Sequence, residues 1–302
     1  MGKELFLGID IGGTKTSVSL GSSDGVILAK NMFATSNDPQ EVIEEICIAS
    51  IQVMKANKVS AGGISCGGPL DAEQGLILSP PNLPSWDKIP ICSILSSRLG
   101  IPFFLENDAN ACALAEWYWG NGRGTQNMVF LTFGTGFGAG LILNGRLYRG
   151  TNGQAGEIGH IRSDESGPFC YGKNGSFESF CSGTGISLLF EQNFRTAKTA
   201  KEICALADSG DVFALTVVRE SASHLGLALS LLIDLLNPEK IIIGSIYQRN
   251  EKLFNSIANT IIDNEALELN RQCCKIVPSA LAEQLGDLAA LGIAKDHWRT
   301  HA

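Results

Sequence analysis

Four short stretches of the 302-residue chain place reactive side chains among small residues. In Asp10-Ile11-Gly12-Gly13-Thr14-Lys15 a carboxylate stands beside two glycines. Glycine N–H groups can approach phosphate oxygens unobstructed, and a carboxylate at that place could hold Mg2+ or one of its waters. A tight hairpin with a solvated aspartate accounts for the hexapeptide equally well. In Glu106-Asn107-Asp108-Ala109-Asn110, Asp108 is the candidate general base for drawing a proton from a hydroxyl during phosphoryl transfer, with helix N-capping as its alternative role.

The third stretch, Gly134-Thr135-Gly136-Phe137-Gly138-Ala139-Gly140, is glycine-rich, yet the dinucleotide fingerprint requires a helix directly after the glycines. Here a strand and an Asn144-Gly145 turn follow, and no Gly-Lys-Ser or Gly-Lys-Thr closes a Walker loop. What survives is a phosphate grip made by a hairpin turn. In the fourth stretch, Gly156-Glu157-Ile158-Gly159-His160, a carboxylate and an imidazole three residues apart can point into one polar pocket, the donor and acceptor array a sugar requires. A structural histidine, a metal ligand and a surface glutamate are the alternatives there.

The elements that would position these residues alternate along the chain. An apolar strand over 5–10, the glycine turn, a strand over 16–20, a Ser22-Ser23-Asp24-Gly25 turn and a strand over 26–30 open it. A helix follows with Asp38 as N-cap and Pro39 at its first position. The order strand, glycine turn, strand, turn, strand returns over 127–150, which reads as an internal structural repeat. Between the repeats lie strands over 61–65 and 102–105 and helices over 94–99 and 110–119, an α/β alternation. A long apolar-periodic helix over 212–236 ends at Asn237-Pro238, a buried strand follows over 240–244, and a last helix covers 286–298.

Composition narrows the classes. With 44% hydrophobic and 18% charged residues the chain is globular. A net charge of −8 without runs of like charge opposes nucleic-acid binding. The N-terminal residues show no cationic leader with a long apolar run, and no uninterrupted apolar stretch reaches bilayer-spanning length, so a cytoplasmic protein without membrane association is expected. Nine scattered cysteines with no C-x-x-C pair read as reduced thiols.

Taken together, these segments resemble the ROK family of bacterial sugar kinases and sugar-sensing repressors, within the actin-like, hexokinase-like ATPase superfamily. The resemblance also draws on Pro80-Pro81-Asn82-Leu83-Pro84-Ser85-Trp86, Gly175-Ser176-Phe177-Glu178 and Leu236-Asn237-Pro238-Glu239-Lys240-Ile241-Ile242-Ile243-Gly244. It implies an α/β, two-lobed actin-like (ribonuclease H-like) ATPase fold with a nucleotide and sugar cleft between lobes. The lobes expected are 1–118 with the C-terminal helix 285–302, and 119–284. It further implies that Gly12, Gly13, Thr14, Lys15, Gly134, Thr135 and Gly136 line the phosphates of ATP, that Asp10 helps hold Mg2+, and that Gly244 lies by the adenosine. Asn107, Asp108, Glu157, His160 and Glu178 would contact a hexose or N-acylated hexosamine, Asp108 as base for its 6-hydroxyl, with Gly67 in Ser65-Cys66-Gly67-Gly68-Pro69 nearby. Glucose and N-acetylmannosamine are the leading acceptors, and a homodimer is expected because dimers are common in such families.

Two departures stand out. Many members carry a Cys-x-Cys-Gly-x-x-Gly-Cys run that binds zinc with a histidine matching His160, and here those positions are Phe169, Tyr171 and Ser176. No structural zinc is therefore expected, and Phe169, Tyr171, Phe177 and Phe180 are expected to pack as an aromatic cluster in its place. Ser245 also stands where a second glycine is usual after Gly244. The rival readings are a sugar-responsive repressor, for which the chain leaves no room before the first hairpin, an actin-like ATPase without a sugar acceptor, and a dinucleotide-dependent oxidoreductase.

Overall fold

The computed structural model describes residues 3–301, so Met1, Gly2 and Ala302, the first two belonging to the leader reading, lie outside it. The chain divides into two compact units, one formed by the residues up to Arg123 and those from Leu281 on, the other by Gly124–Ala280.

The first unit opens with β1 (Leu5–Ile11), β2 (Lys15–Ser22) and β3 (Ile27–Ala34), followed by α1 (Pro39–Met54) and β4 (Ala61–Cys66). A two-residue ladder, β5 (Leu70–Asp71) with β6 (Leu76–Ile77), leads to α2 (Ile91–Leu99), β7 (Phe103–Asn107) and α3 (Asp108–Trp119). The sheet order is β3-β2-β1-β4-β7, antiparallel through β3, β2 and β1 and parallel from β1 to β4 to β7. The Asp38 side chain accepts the N–H of Gln40 and Pro39 opens α1, which turns Val42, Ile43 and Ile46 into the core beneath the sheet.

The second unit repeats this plan. It begins with β8 (Met128–Phe133), β9 (Phe137–Leu143) and β10 (Arg146–Leu147), passes a 3-10 turn at Ile158–His160, and forms a small hairpin from β11 (Phe169–Cys170) and β12 (Lys173–Asn174). Then come α4 (Phe177–Phe180), α5 (Gly183–Phe194), α6 (Ala200–Asp208), α7 (Val212–Leu236), β13 (Lys240–Ile243), α8 (Ile246–Glu265), α9 (Glu268–Cys273) and β14 (Lys275–Pro278). Its sheet order, β10-β9-β8-β13-β14, has the same sequence of antiparallel and parallel pairings as the first. Among the described helices α7 is the one long and apolar enough to cross a membrane, and its Val217, Leu225, Leu229 and Ile233 are buried in the core of this unit. The chain ends in α10 (Leu285–His301), which returns to the first unit and packs on β1, β4 and α3.

The repeat has a consequence for chemistry. Parallel strands present side chains at their carboxyl ends, where open α/β sheets bind ligands. In the first unit Ile11, Cys66 and Asn107 are in register at the ends of β1, β4 and β7. In the second, β8 runs into Gly134 and β13 into Gly244.

Candidate active site

In the first unit Asp10 lies at the end of β1, opposite Ser65 of β4. Burial pushes its carboxyl up to about 6, the charges of Asp108 and Asp287 add to the push, and a Ser65 hydrogen bond and Lys30 oppose it. Asp287, at the start of α10, is itself buried. Ser17 and Ser19 each donate to its Oδ1 at 2.9 Å, and the Lys30 ammonium lies 2.6 Å from its Oδ2. Nothing in the motif spacing marks Asp287, because its partners lie on β2 and β3 at the other end of the chain.

The crowding of carboxylates on Asp10 fits a divalent cation, whose charge would hold Asp10 ionised. Among the described residues no group of three or more His, Cys, Asp or Glu side chains is arranged to hold a metal ion. Few protein ligands suit Mg2+, which keeps several waters and takes its remaining ligands from phosphates.

Beside Asp10, the end of β7 turns into α3. The N-cap of that helix is Asn107, whose Oδ1 accepts the N–H of Asn110 at 2.8 Å. Capping therefore falls to Asn107, and Asp108 occupies the first turn, where the helix dipole favours a carboxylate. Its Oδ1 accepts the N–H of Ala109 at 2.8 Å. The buried Glu106 braces the same bend, accepting the Asn107 N–H at 3.1 Å and the Asn110 side-chain amide at 3.0 Å. Gly67 follows β4 with open space where a side chain would go. The turn over 12–15 is closed by Gly12 N–H donating to Lys15 O at 3.1 Å, with Gly13, Thr14 and Lys15 exposed. A Cβ on Gly13 would lie 2.7 Å from the Cβ of Asn82, so the proline-rich stretch over 80–86 seats against this turn.

In the second unit the matching turn is braced from α5. Gly183 N–H donates to Gly134 O at 2.7 Å, and the Thr184 hydroxyl donates to Thr135 O at 3.0 Å. Thr184 had no motif to announce it. Glu178, on α4, reaches the same hairpin, its Oε2 accepting the Phe137 N–H at 3.1 Å. A Cβ on Gly136 would lie 2.8 Å from that oxygen, so a side chain there would displace the Glu178 carboxylate. Burial raises the Glu178 carboxyl, the Phe137 N–H counters it, and the neighbouring Glu157 raises it further. Gly244 is buried at the end of β13, and Ser245 follows it at φ 59° and ψ −114°.

Glu157 and His160 are exposed and are joined by Tyr171. The Tyr171 hydroxyl donates to Glu157 Oε2 at 3.3 Å, and its ring meets the His160 ring edge-on with centroids 5.2 Å apart. Lys173 donates to the His160 carbonyl at 2.7 Å. The expected aromatic cluster does not form. Phe169 and Tyr171 are 65% and 51% exposed, while Phe177 and Phe180 are buried. Phe169 and Tyr171 flank the buried Cys170 on the exposed side of the small hairpin, whereas the two phenylalanines, three apart on α4, face the core.

Thus Asp10, the 12–15 turn, Gly67, Asn107 and Asp108 gather at one sheet end in the first unit. The second unit gathers Gly134, Thr135, Gly136 and Gly244 at its own sheet end, with Glu178 bound to the hairpin and near enough to Glu157 for their charges to repel. The ROK family model matches residues 6–297. The chain belongs to the ROK family.

A glucokinase of Thermotoga maritima is 33% identical over 98% of this chain and 99% of its own length. Among solved structures, a ROK hexokinase from Thermus thermophilus superposes with a TM-score of 0.88 at 30% identity, covering 98% of this chain and 99% of that one. A ROK glucokinase from Streptomyces griseus, solved in complex with glucose and AMPPNP, superposes with a TM-score of 0.80 at 28% identity, covering 96% and 99%. A xylose repressor of Bacillus subtilis also matches, 28% identical over 97% of this chain and 77% of the repressor. The fold is the two-lobed actin-like ATPase fold of these ROK sugar kinases.

Proposed function

We propose that this protein, a sugar kinase of the ROK family, transfers the γ-phosphoryl group of ATP to the 6-hydroxyl of a hexose or N-acylated hexosamine in the cytoplasm. Glucose and N-acetylmannosamine are the leading acceptors, and the 33% identity to a glucokinase favours glucose. The observation that carries the reading is the placement of Asp108 in the first turn of α3 beside Asp10 at the end of β1.

Asp108 would accept the proton of the 6-hydroxyl as that oxygen attacks the γ-phosphorus and ADP departs. Asn107, Glu157, His160 and Glu178 would bind and orient the sugar, with Gly67 beside it. Mg2+, bound with the nucleotide, would neutralise charge on the β- and γ-phosphate oxygens, and Asp10 would hold it directly or through water. Backbone N–H groups of Gly12, Gly13, Thr14, Lys15, Gly134, Thr135 and Gly136 would cradle the phosphates, and Gly244 would border the adenosine.

A coupled ADP-release assay with Mg-ATP against hexoses and N-acylated hexosamines tests the reading, run beside Asp108→Asn. Sugar-dependent release is expected, cut by about 10²- to 10⁴-fold in the variant with sugar binding retained. Near-normal turnover in Asp108→Asn would remove it as the base. A wild type that binds sugar without releasing ADP would point to a sugar sensor that keeps this fold.

A further inference from the structure

One histidine that the proposed chemistry does not use sits where the sugar-side segments are anchored. His224 lies on α7, its Nδ1 2.6 Å from the Ser163 hydroxyl oxygen. Its ring stacks on Phe180 with centroids 3.6 Å apart and planes 8° from parallel. One turn earlier on the same helix, the Ser221 hydroxyl donates to the Phe180 carbonyl at 2.7 Å.

Ser163 and Phe180 belong to the two stretches that carry the sugar-side residues. Ser163 follows His160 by three positions, and Phe180 follows Glu178 by two. The stretches are also tied to each other, since Ser163 N–H donates to Gly175 O at 2.7 Å and Phe177 N–H to Ile161 O at 2.9 Å. His224 therefore touches both from one long helix whose inner face is buried, holding one by a hydrogen bond and the other by a ring face. Burial holds its imidazole below the usual range against the pull of Asp164, which keeps it neutral and compatible with an apolar stack.

We propose that His224 is a positioning residue for the sugar side of the site, holding the stretch with Glu157 and His160 against α4 with Glu178. The proposal rests on the reading that these three residues bind the acceptor sugar. Rigid support of such groups governs how well they meet a ligand.

His224→Phe keeps a ring for the stack and removes the hydrogen bond, and Ser163→Ala removes the same bond from the other side with less intrusion. Either change should raise the sugar KM about tenfold, the cost of one buried hydrogen bond, while the ATP KM and the kcat at saturating sugar stay within about twofold. The double variant should be no worse than either single one, because both delete one interaction. Hydrogen exchange should quicken over 158–180 in both variants and remain unchanged in β8. If the sugar and ATP KM rise together, if the two changes add, or if exchange over 158–180 is unaltered, the proposal is overturned. Should His224→Phe fail to fold, Ser163→Ala decides the question by the same readouts. A wild type without sugar-dependent ADP release would fell the kinase reading, and the exchange measurement would still decide whether His224 anchors these stretches.

Discussion

The Glu178 carboxylate accepts the backbone N–H of Phe137 at 3.1 Å, joining α4 to the second glycine turn. A charge-assisted bond of this kind is worth about 1.5–3 kcal/mol. Glu178→Ala should therefore raise the KM of both sugar and ATP by about tenfold or more, since losing the bond loosens the turn at Gly136. Gly136→Ala should reproduce the ATP effect, its Cβ landing 2.8 Å from Glu178 Oε2. Steady-state kinetics with each substrate varied in turn checks this, and an unchanged ATP KM in both variants would show that the bond does not transmit to the turn.

Asp10 makes a prediction with a sign. Its carboxyl titrates at about 6 in the folded protein against 3.8 as the reference value. A raised carboxyl pKa means the folded state binds the proton more tightly, so this contribution to stability is complete below pH 3.8 and is lost as pH rises through about 6. With partial solvent screening the loss by pH 8 is on the order of 1–3 kcal/mol. Asp10→Asn should accordingly melt higher than wild type at pH 8 without ligand, match it near pH 4, and lose Mg-dependent turnover. Equal melting temperatures at pH 8 would show that Asp10 is not strained by its neighbours.

Local signals made part of this architecture legible. Asp38 and Pro39 mark the start of α1, and Asn237-Pro238 marks the end of α7 over Val212–Leu236, because caps and prolines act within a few residues. The repeated glycine hairpin announces two units with matching sheets. The strand expected over 26–30 extends as β3 over Ile27–Ala34, since an edge strand that alternates half-buried and exposed residues tolerates Lys30 and Asn31. The elements expected from the sequence leave out 178–211 and 246–278, although Thr199 and Glu202 form a capping box that opens α6. In α8 the apolar residues Leu253, Phe254, Ile257, Ala258, Ile261 and Ile262 recur at helical spacing, a stripe whose Phe254, Ala258 and Ile262 are buried.

At the candidate site the motif residues were visible as types, and their supports were not. Asp287 meets Ser17 and Ser19 across about 270 residues of chain, and His224 meets Ser163 across 61, contacts that only the folded topology creates. Phe169 and Tyr171 stay out of the core because they flank the buried Cys170 on the exposed side of the small hairpin, an alternation that composition does not reveal.

Ser245 holds a backbone conformation that side chains resist, φ 59° with ψ −114°, directly after Gly244 and ahead of α8. A Cβ in this region clashes with the backbone, at a cost of roughly 1–3 kcal/mol, and glycine escapes the clash at the expense of greater freedom in the unfolded chain. The strain exceeds the entropy term, so Ser245→Gly should stabilise the protein by about 1 kcal/mol. The Ser245 side chain lies close to Gly134, with its Oγ 3.5 Å from where a Cβ on that glycine would sit. Removing the side chain therefore also opens the neighbourhood of the second glycine turn, and the KM for ATP should change by no more than a few-fold while the sugar KM stays constant. Thermal melting and nucleotide-varied kinetics together test this. A destabilised variant would mean that Ser245 makes a contact that outweighs its backbone strain.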